Sequence, residues 1–180
     1  MKKSTILKYI TKNPAQTKKI GELLAKKILE TKPSKLAFLL GLEGDLGGGK
    51  TTFLQGFAKG AGIKQKILSP TFVIMKKFQM GPKRSLGGWR EGRSPNYKSQ
   101  TNSKFQIPKF KTFYHIDCYR ILKPKEILDL GFKKIISNPQ NIVAIEWAEK
   151  IRSILPKDII KIQFSFISKN IRQINIRYTG

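Results

Sequence analysis

Between residues 44 and 51 the chain reads Gly44-Asp45-Leu46-Gly47-Gly48-Gly49-Lys50-Thr51, with Thr52 following. This meets the pattern G-x-x-x-x-G-K-[ST] at every fixed position. The residue types suit one task. A triphosphate needs several backbone N–H groups converging on it, and side chains would block the approach. Glycines open the way, and a helix starting just after them turns its positive end to the anion. Lys50 would reach the β- and γ-phosphates, and the Thr51 hydroxyl would bind Mg²⁺. The expected ligand is a purine nucleoside triphosphate with magnesium.

Such a loop needs acids at a neighbouring strand end to order the metal's waters. Two are available. Asp117 closes Phe113-Tyr114-His115-Ile116, and Glu146 closes Ile142-Val143-Ala144-Ile145, an apolar run followed by an acid. Either can order the metal shell while the other orients the attacking water. His115, the only histidine, reads as a packed or surface residue rather than a catalytic base. Arg120 would either stabilise phosphate charge or pair with one of the acids. Trp147 would stack on the base or fill the core. Cys118 follows Asp117, and strand alternation turns it inward. Ser69-Pro70-Thr71-Phe72 falls where a switch segment would sense the γ-phosphate.

Regular elements must hold these groups. Asn13-Pro14 reads as a cap and first turn, and Ile20, Leu23, Leu24 and Ile28 carry helical spacing to about Glu30. Leu36 to Leu40 is a short apolar run, as expected for a buried strand opening directly into the glycine loop. Thr52 to Gly60 follows as a helix. Phe72 to Met75 and Lys111 to Ile116 read as strands, Lys125 to Leu130 as a short helix, and Asn141 to Ile145 as another strand. Ile159–Ile167 and Ile171–Tyr178 alternate around Ser168-Lys169-Asn170, a β-hairpin. The pattern predicts one α/β domain over residues 1–180. Its expected form is a three-layer, P-loop NTPase-like fold with a mainly parallel central sheet and an antiparallel C-terminal hairpin.

The stretch from Gly81 to about Lys111 differs from its surroundings. It is rich in Gly, Ser, Asn, Gln and Pro and holds eight basic residues and one acid, Glu91. It reads as a flexible basic insertion. Trp89 and Tyr97 within it can stack on bases, or the stretch is a loop with no specific role.

Composition adds bounds. The 180 residues carry 36 Lys and Arg against 11 Asp and Glu, a formal charge of +25. A polyanionic partner, most naturally RNA, is one reading, and a lysine-rich surface with no such partner is the other. No apolar run approaches membrane-spanning length. No secretory signal is expected, since lysines interrupt the first apolar positions. Cys118 is the only cysteine, which excludes an internal disulfide and points to a reducing cytoplasm.

Together the glycine loop, Ser69-Pro70-Thr71-Phe72, His115-Ile116-Asp117-Cys118-Tyr119-Arg120 and Ile145-Glu146-Trp147 occur in the order seen in the TsaE (formerly YjeE) family. Thr17-Lys18-Lys19-Ile20-Gly21 is similar to that family's opening helix. The resemblance covers nearly the whole chain outside the insertion, and the Asp-x-Tyr-Arg and Glu-Trp segments are its most specific part. It implies a cytoplasmic ATPase of tRNA threonylcarbamoyladenosine synthesis, acting with TsaD and TsaB. Those partners transfer the threonylcarbamoyl group, and ATP hydrolysis resets the complex between turnovers. It implies that Thr51 and Glu146 are magnesium positions and Asp117 the switch acid. It also implies that Thr17, Thr71, Trp147, Glu149 and Arg172 lie near the nucleotide. Gly48 departs from a usual alanine, Cys118 from a usual leucine, and the insertion is longer than the family's loop. A small-molecule kinase and an RNA-binding module with a structural nucleotide are the alternatives.

Overall fold

The computed structural model describes residues 4–31, 34–80 and 109–179. Along the chain run β1 (Ser4–Thr11), α1 (Pro14–Glu30), β2 (Phe38–Glu43), α2 (Lys50–Gly60), β3 (Met75–Gln79) and β4 (Thr112–Asp117). Then come α3 (Pro124–Asp129), α4 (Phe132–Ile136), β5 (Asn141–Glu146), a 3₁₀ segment (Ala148–Ile154), β6 (Ile160–Phe166) and β7 (Arg172–Thr179). The strands form one seven-stranded sheet in the order β1-β7-β6-β2-β5-β4-β3.

Three pairings are parallel (β2 with β5, β2 with β6, β4 with β5) and three antiparallel (β1 with β7, β6 with β7, β3 with β4). The expected mainly parallel sheet is therefore evenly mixed. Parallel ladders hold its centre, where both faces are covered and the strands read as apolar runs. Antiparallel ladders form both edges.

Alternate residues of the central strands feed two cores. Leu40, Leu42, Phe113, Ile142 and Ala144 pack with Phe53 and Phe57 of α2. Leu39, Ile116, Val143 and Ile145 pack with Ile127, Phe132, Ala148 and Ile151. This period of two decides which strand residues share a face at the site.

Several elements differ from their sequence signal. β2 starts later than Leu36 and runs on to Glu43, so it carries the chain straight into the loop. β3 begins at Met75 rather than Phe72. Residues 71–73 form a turn instead, in which the Val73 N–H donates to the Pro70 carbonyl. Ile74 follows with φ of 61°, a conformation that β-branched residues rarely adopt. β1 carries no clear periodic signal. It is an edge strand, largely exposed, whose only ladder among the described residues is with β7. α1 forms as expected, with the Asn13 side chain accepting from the Gln16 N–H. Its buried stripe, however, is Thr17, Gly21, Ala25 and Ile28, while Leu23 is exposed. Small residues win that face because α2 lies very close. A Cβ on Gly56 would come within 1.9 Å of the Lys18 carbonyl oxygen.

Most of the basic insertion, with Trp89, Glu91 and Tyr97, lies outside the described residues. Its last residues are tied down. Phe110 is buried against Phe38, and Lys109 Nζ donates to the Glu30 and Thr31 carbonyls.

Candidate phosphate-loop site

The C-terminal ends of β2, β4 and β5 lie side by side, and the loop after β2 rises over them. Crevices at carboxyl ends of strands are where open α/β sheets bind ligands. Residues 44–49 span the loop, and Gly44 and Gly49 show why it is glycine-rich. Both have positive φ, 126° and 102°. A Cβ on Gly44 would also sit 2.3 Å from the Phe164 carbonyl oxygen. Gly49 caps α2 without any side-chain hydrogen bond. The first-turn N–H groups of this eleven-residue helix are thus left to face the loop.

Lys50 is buried, and its Nζ donates to the carbonyls of Gly44 at 2.6 Å and Asp45 at 2.8 Å. The same ammonium lies 3.8 Å from the Trp147 ring centroid. Burial pulls the Lys50 pKa below its ordinary value, and the acids Glu146, Glu149, Asp117 and Asp45 oppose that pull. A phosphate beside this ammonium would restore the favourable electrostatics that burial removes.

The Thr51 hydroxyl donates to Glu146, 2.9 Å from each carboxylate oxygen. These residues are 95 apart in sequence, so only the β2–β5 pairing brings them together. Asp117 stands level with Glu146 in the β4–β5 register. Its carboxylate accepts from the Tyr119 N–H at 2.9 Å, from the Thr71 hydroxyl at 2.5 Å and from the Ser69 hydroxyl. The Asp117 N–H donates to the Ile74 carbonyl. Segment 69–74 is therefore latched to the end of β4 by side chain and backbone together.

Two cavities border the loop and share Gly47, Gly49 and Thr52. One, of about 400 Å³, is lined by Leu46, Gly48, Lys50, Thr51, Ser69, Thr71, Asp117, Tyr119, Glu146 and Trp147. The other, of about 350 Å³, is lined by Lys12, Asn13, Pro14, Thr17, Asn170 and Arg172. The residues expected around a nucleotide thus divide into two groups. Gly44 and Asp45 line neither cavity and act through their carbonyls on Lys50. Glu149 also lies outside both, on the 3₁₀ segment, where its charge bears on Lys50. Burial raises the Glu149 pKa, and its buried Oε2 has no hydrogen-bond partner among the described residues.

Other expectations are refined. Trp147 lines the acid-bearing cavity, apart from Thr17 and Arg172, and its φ of 58° turns the chain from β5 into the 3₁₀ segment. Arg172 Nη1 ties the β6–β7 turn by donating to the Ser168, Lys169 and Ile171 carbonyls. Thr17 shares a buried hydrogen bond with Thr11 at 3.0 Å. Arg120 lies over the Phe72 ring, 4.5 Å from its centroid. Ser69 lines the acid-bearing cavity within the expected switch segment Ser69-Pro70-Thr71-Phe72. Lys12, Asn13 and Asn170 line the second cavity from turns, which carry no periodic signal of a site.

The side chains lining the acid-bearing cavity offer hard oxygens: the hydroxyls of Thr51, Thr52, Ser69, Thr71 and Tyr119 and the carboxylates of Asp117 and Glu146. Among the described residues no group of three or more His, Cys, Asp and Glu side chains is placed to hold a metal alone. Magnesium fits such a set, since it keeps several waters and shares phosphate oxygens with one or two protein groups.

Loop, helix and acid-tipped strands define the class, an α/β protein with a mixed seven-stranded sheet and a glycine-rich loop over its strand ends. A family model described as "Threonylcarbamoyl adenosine biosynthesis protein TsaE" matches residues 11–86 and 83–174. The chain belongs to the TsaE family. It is 33% identical to the tRNA threonylcarbamoyladenosine biosynthesis protein TsaE of Bacillus subtilis over 97% of this chain and 87% of that one. It is 30% identical to the protein of that name from Rickettsia felis, over 93% of this chain and 77% of the other. The crystal structure of Bacillus subtilis YdiB superposes with a TM-score of 0.66 at 28% identity, covering 100% of this chain and 90% of that one.

Proposed function

We propose that this chain is a single-domain, magnesium-dependent P-loop ATPase serving N6-threonylcarbamoyladenosine formation in tRNA. It acts in the cytoplasm with TsaD and TsaB, and hydrolysis resets their complex between turnovers. The observation that carries this reading is the contact of the Thr51 hydroxyl with Glu146, which joins a phosphate loop to an acid on the adjacent strand.

The residues divide the work. Loop N–H groups from Gly47 to Thr52 bind the phosphates, and Lys50 neutralises the β- and γ-phosphate charge. Thr51 and Glu146 hold magnesium, which supplies charge neutralisation across the phosphate oxygens when bound. Asp117 gathers Ser69 and Thr71 into the switch segment beside the γ-phosphate and would order the attacking water. Thr17 and Arg172, in the second cavity, face the nucleoside. Tyr119 and Trp147 exclude water from the side of Lys50.

The test is ATP hydrolysis by the purified chain, alone and with TsaB and TsaD. Activity should rise with the partners, and Lys50→Ala and Glu146→Ala should each lower it by about a hundredfold or more. A chain that neither binds ATP nor responds to the partners would be no ATPase.

A further inference from the structure

We propose that His115 is a positioning residue that fixes the Glu146 carboxylate for magnesium, an inference resting on the ATPase reading above. The case begins with strand register. His115 and Asp117 are two apart on β4 and share a face. Ala144 and Glu146 are their partners on β5. His115 therefore lies diagonally behind Glu146, beneath α2, and is fully buried at 0% exposure.

From there its Nε2 stands 2.8 Å from Glu146 Oε1. An anionic carboxylate only accepts, so the proton of this contact is on Nε2. The other ring nitrogen, Nδ1, is buried with no hydrogen-bond partner among the described residues. That agrees with a bare Nδ1, because burying an unpaired N–H costs more than burying a weak acceptor. The ring thus occupies one lone pair of Oε1 and sets the plane of the carboxylate. Oε2 is touched only by the Thr51 hydroxyl among the described hydrogen bonds, and Glu146 lines the acid-bearing cavity.

This bond matters because a carboxylate free to rotate would present its oxygens to the metal shell in many orientations. Groups that orient metal-binding side chains typically account for 10- to 100-fold in metal affinity or activity. Packing alone does not explain the choice of residue, since apart from Glu146 its surroundings on that face include the apolar Phe113, Ile142 and Ala144.

His115 is the only histidine in the chain, so its ring nitrogens can be read without assignment by long-range ¹H–¹⁵N NMR. On the wild-type chain, we expect a protonated Nε2 whose signal moves in Glu146→Gln. A bare Nε2 overturns the proposal whatever the variants do. In ATPase assays, His115→Leu should raise the Mg²⁺ concentration for half-maximal rate about tenfold or more. It should leave binding of ATP in EDTA within about twofold of wild type. His115→Gln, which restores an N–H near the same place, should recover most of the Mg²⁺ requirement. An unchanged requirement in a folded His115→Leu, or no recovery in His115→Gln, overturns the proposal. If His115→Leu does not fold, His115→Gln with an NMR-visible fold decides: a near-normal Mg²⁺ requirement supports the proposal and a tenfold rise overturns it. Loss of the ATPase reading itself would show differently, as hydrolysis that survives Lys50→Ala while the Nε2 proton remains.

Discussion

At the scale of single residues, chemistry here follows from what burial does to charge. Lys50 is an ammonium enclosed by carbonyls and an indole face, and burial weakens its hold on the proton. The cost is tolerable where an anion will sit. Thr51→Val keeps the side-chain volume and removes the hydroxyl. ATP hydrolysis should fall by at least about tenfold, while the melting temperature stays close to wild type; full activity in Thr51→Val would remove the hydroxyl from the metal site. Cys118 follows the same physics. Burial, with the Asp117 charge beside it, pushes its thiol up to about 12. The reactive thiolate is then scarce at neutral pH. A maleimide should label Cys118 slowly in the native protein and rapidly in urea, and equal rates would contradict the buried placement.

At the scale of elements, the contact between α1 and α2 controls how firmly the phosphate loop is seated. The two helices meet through Gly21, Gly56 and Gly60, where any Cβ would strike the opposing backbone. α2 begins at Lys50, so a shift of this contact would move Lys50 and Thr51 together. Gly56→Ala should therefore destabilise the protein by about 3 kcal/mol, despite the better helix propensity of alanine. Urea denaturation would measure it, and a neutral or stabilising effect would mean the helices can separate at little cost. The switch segment is a second element-scale device. Its latch holds Ile74 at a φ that costs about 1 to 2 kcal/mol. Two hydroxyl protons there, on Ser69 and Thr71, serve three oxygen–oxygen contacts, so they cannot all be hydrogen bonds at once.

At the scale of the whole molecule, charge dominates. With +25 spread along the chain, one acid gathers several cations. Glu22 on α1 lies 2.8 Å from Lys26, 3.4 Å from Lys59 of α2 and 3.8 Å from Lys19. Hydrogen bonds from Lys26 and Lys59 hold its carboxyl down at about 2. A carboxyl depressed on folding contributes stability above its ordinary pKa and loses it as the pH falls toward the folded value. The melting temperature of the wild type should thus drop more steeply between about pH 5 and pH 2 than that of Glu22→Gln. Parallel curves would show that the cluster contributes nothing. The same charge predicts that tRNA binding weakens steeply with salt, with a negative log–log slope that grows with the number of phosphates contacted. A slope near zero would set the charge aside as surface bias.

What the chain determined by itself was whatever depends on local order. The glycine pattern, the apolar run before it, the acids at the ends of Phe113–Ile116 and Ile142–Ile145, the Asn13 cap and the C-terminal hairpin are all readable from spacing, because each is set by neighbours a few residues away. The family was legible for the same reason, through short segments in a fixed order. Tertiary structure alone decided the rest. β1 exists because β7 offers a ladder, not because Ser4–Thr11 alternates. Phe72 and Val73 look like a strand and lie exposed in a turn, at 83% and 58%, because Asp117 holds the segment on either side of them. His115 was visible as a lone histidine. Its contact with Glu146 spans 31 residues and depends on the register of two parallel strands. Long-range pairing fixes such contacts, and no local pattern records which residues will be opposite one another.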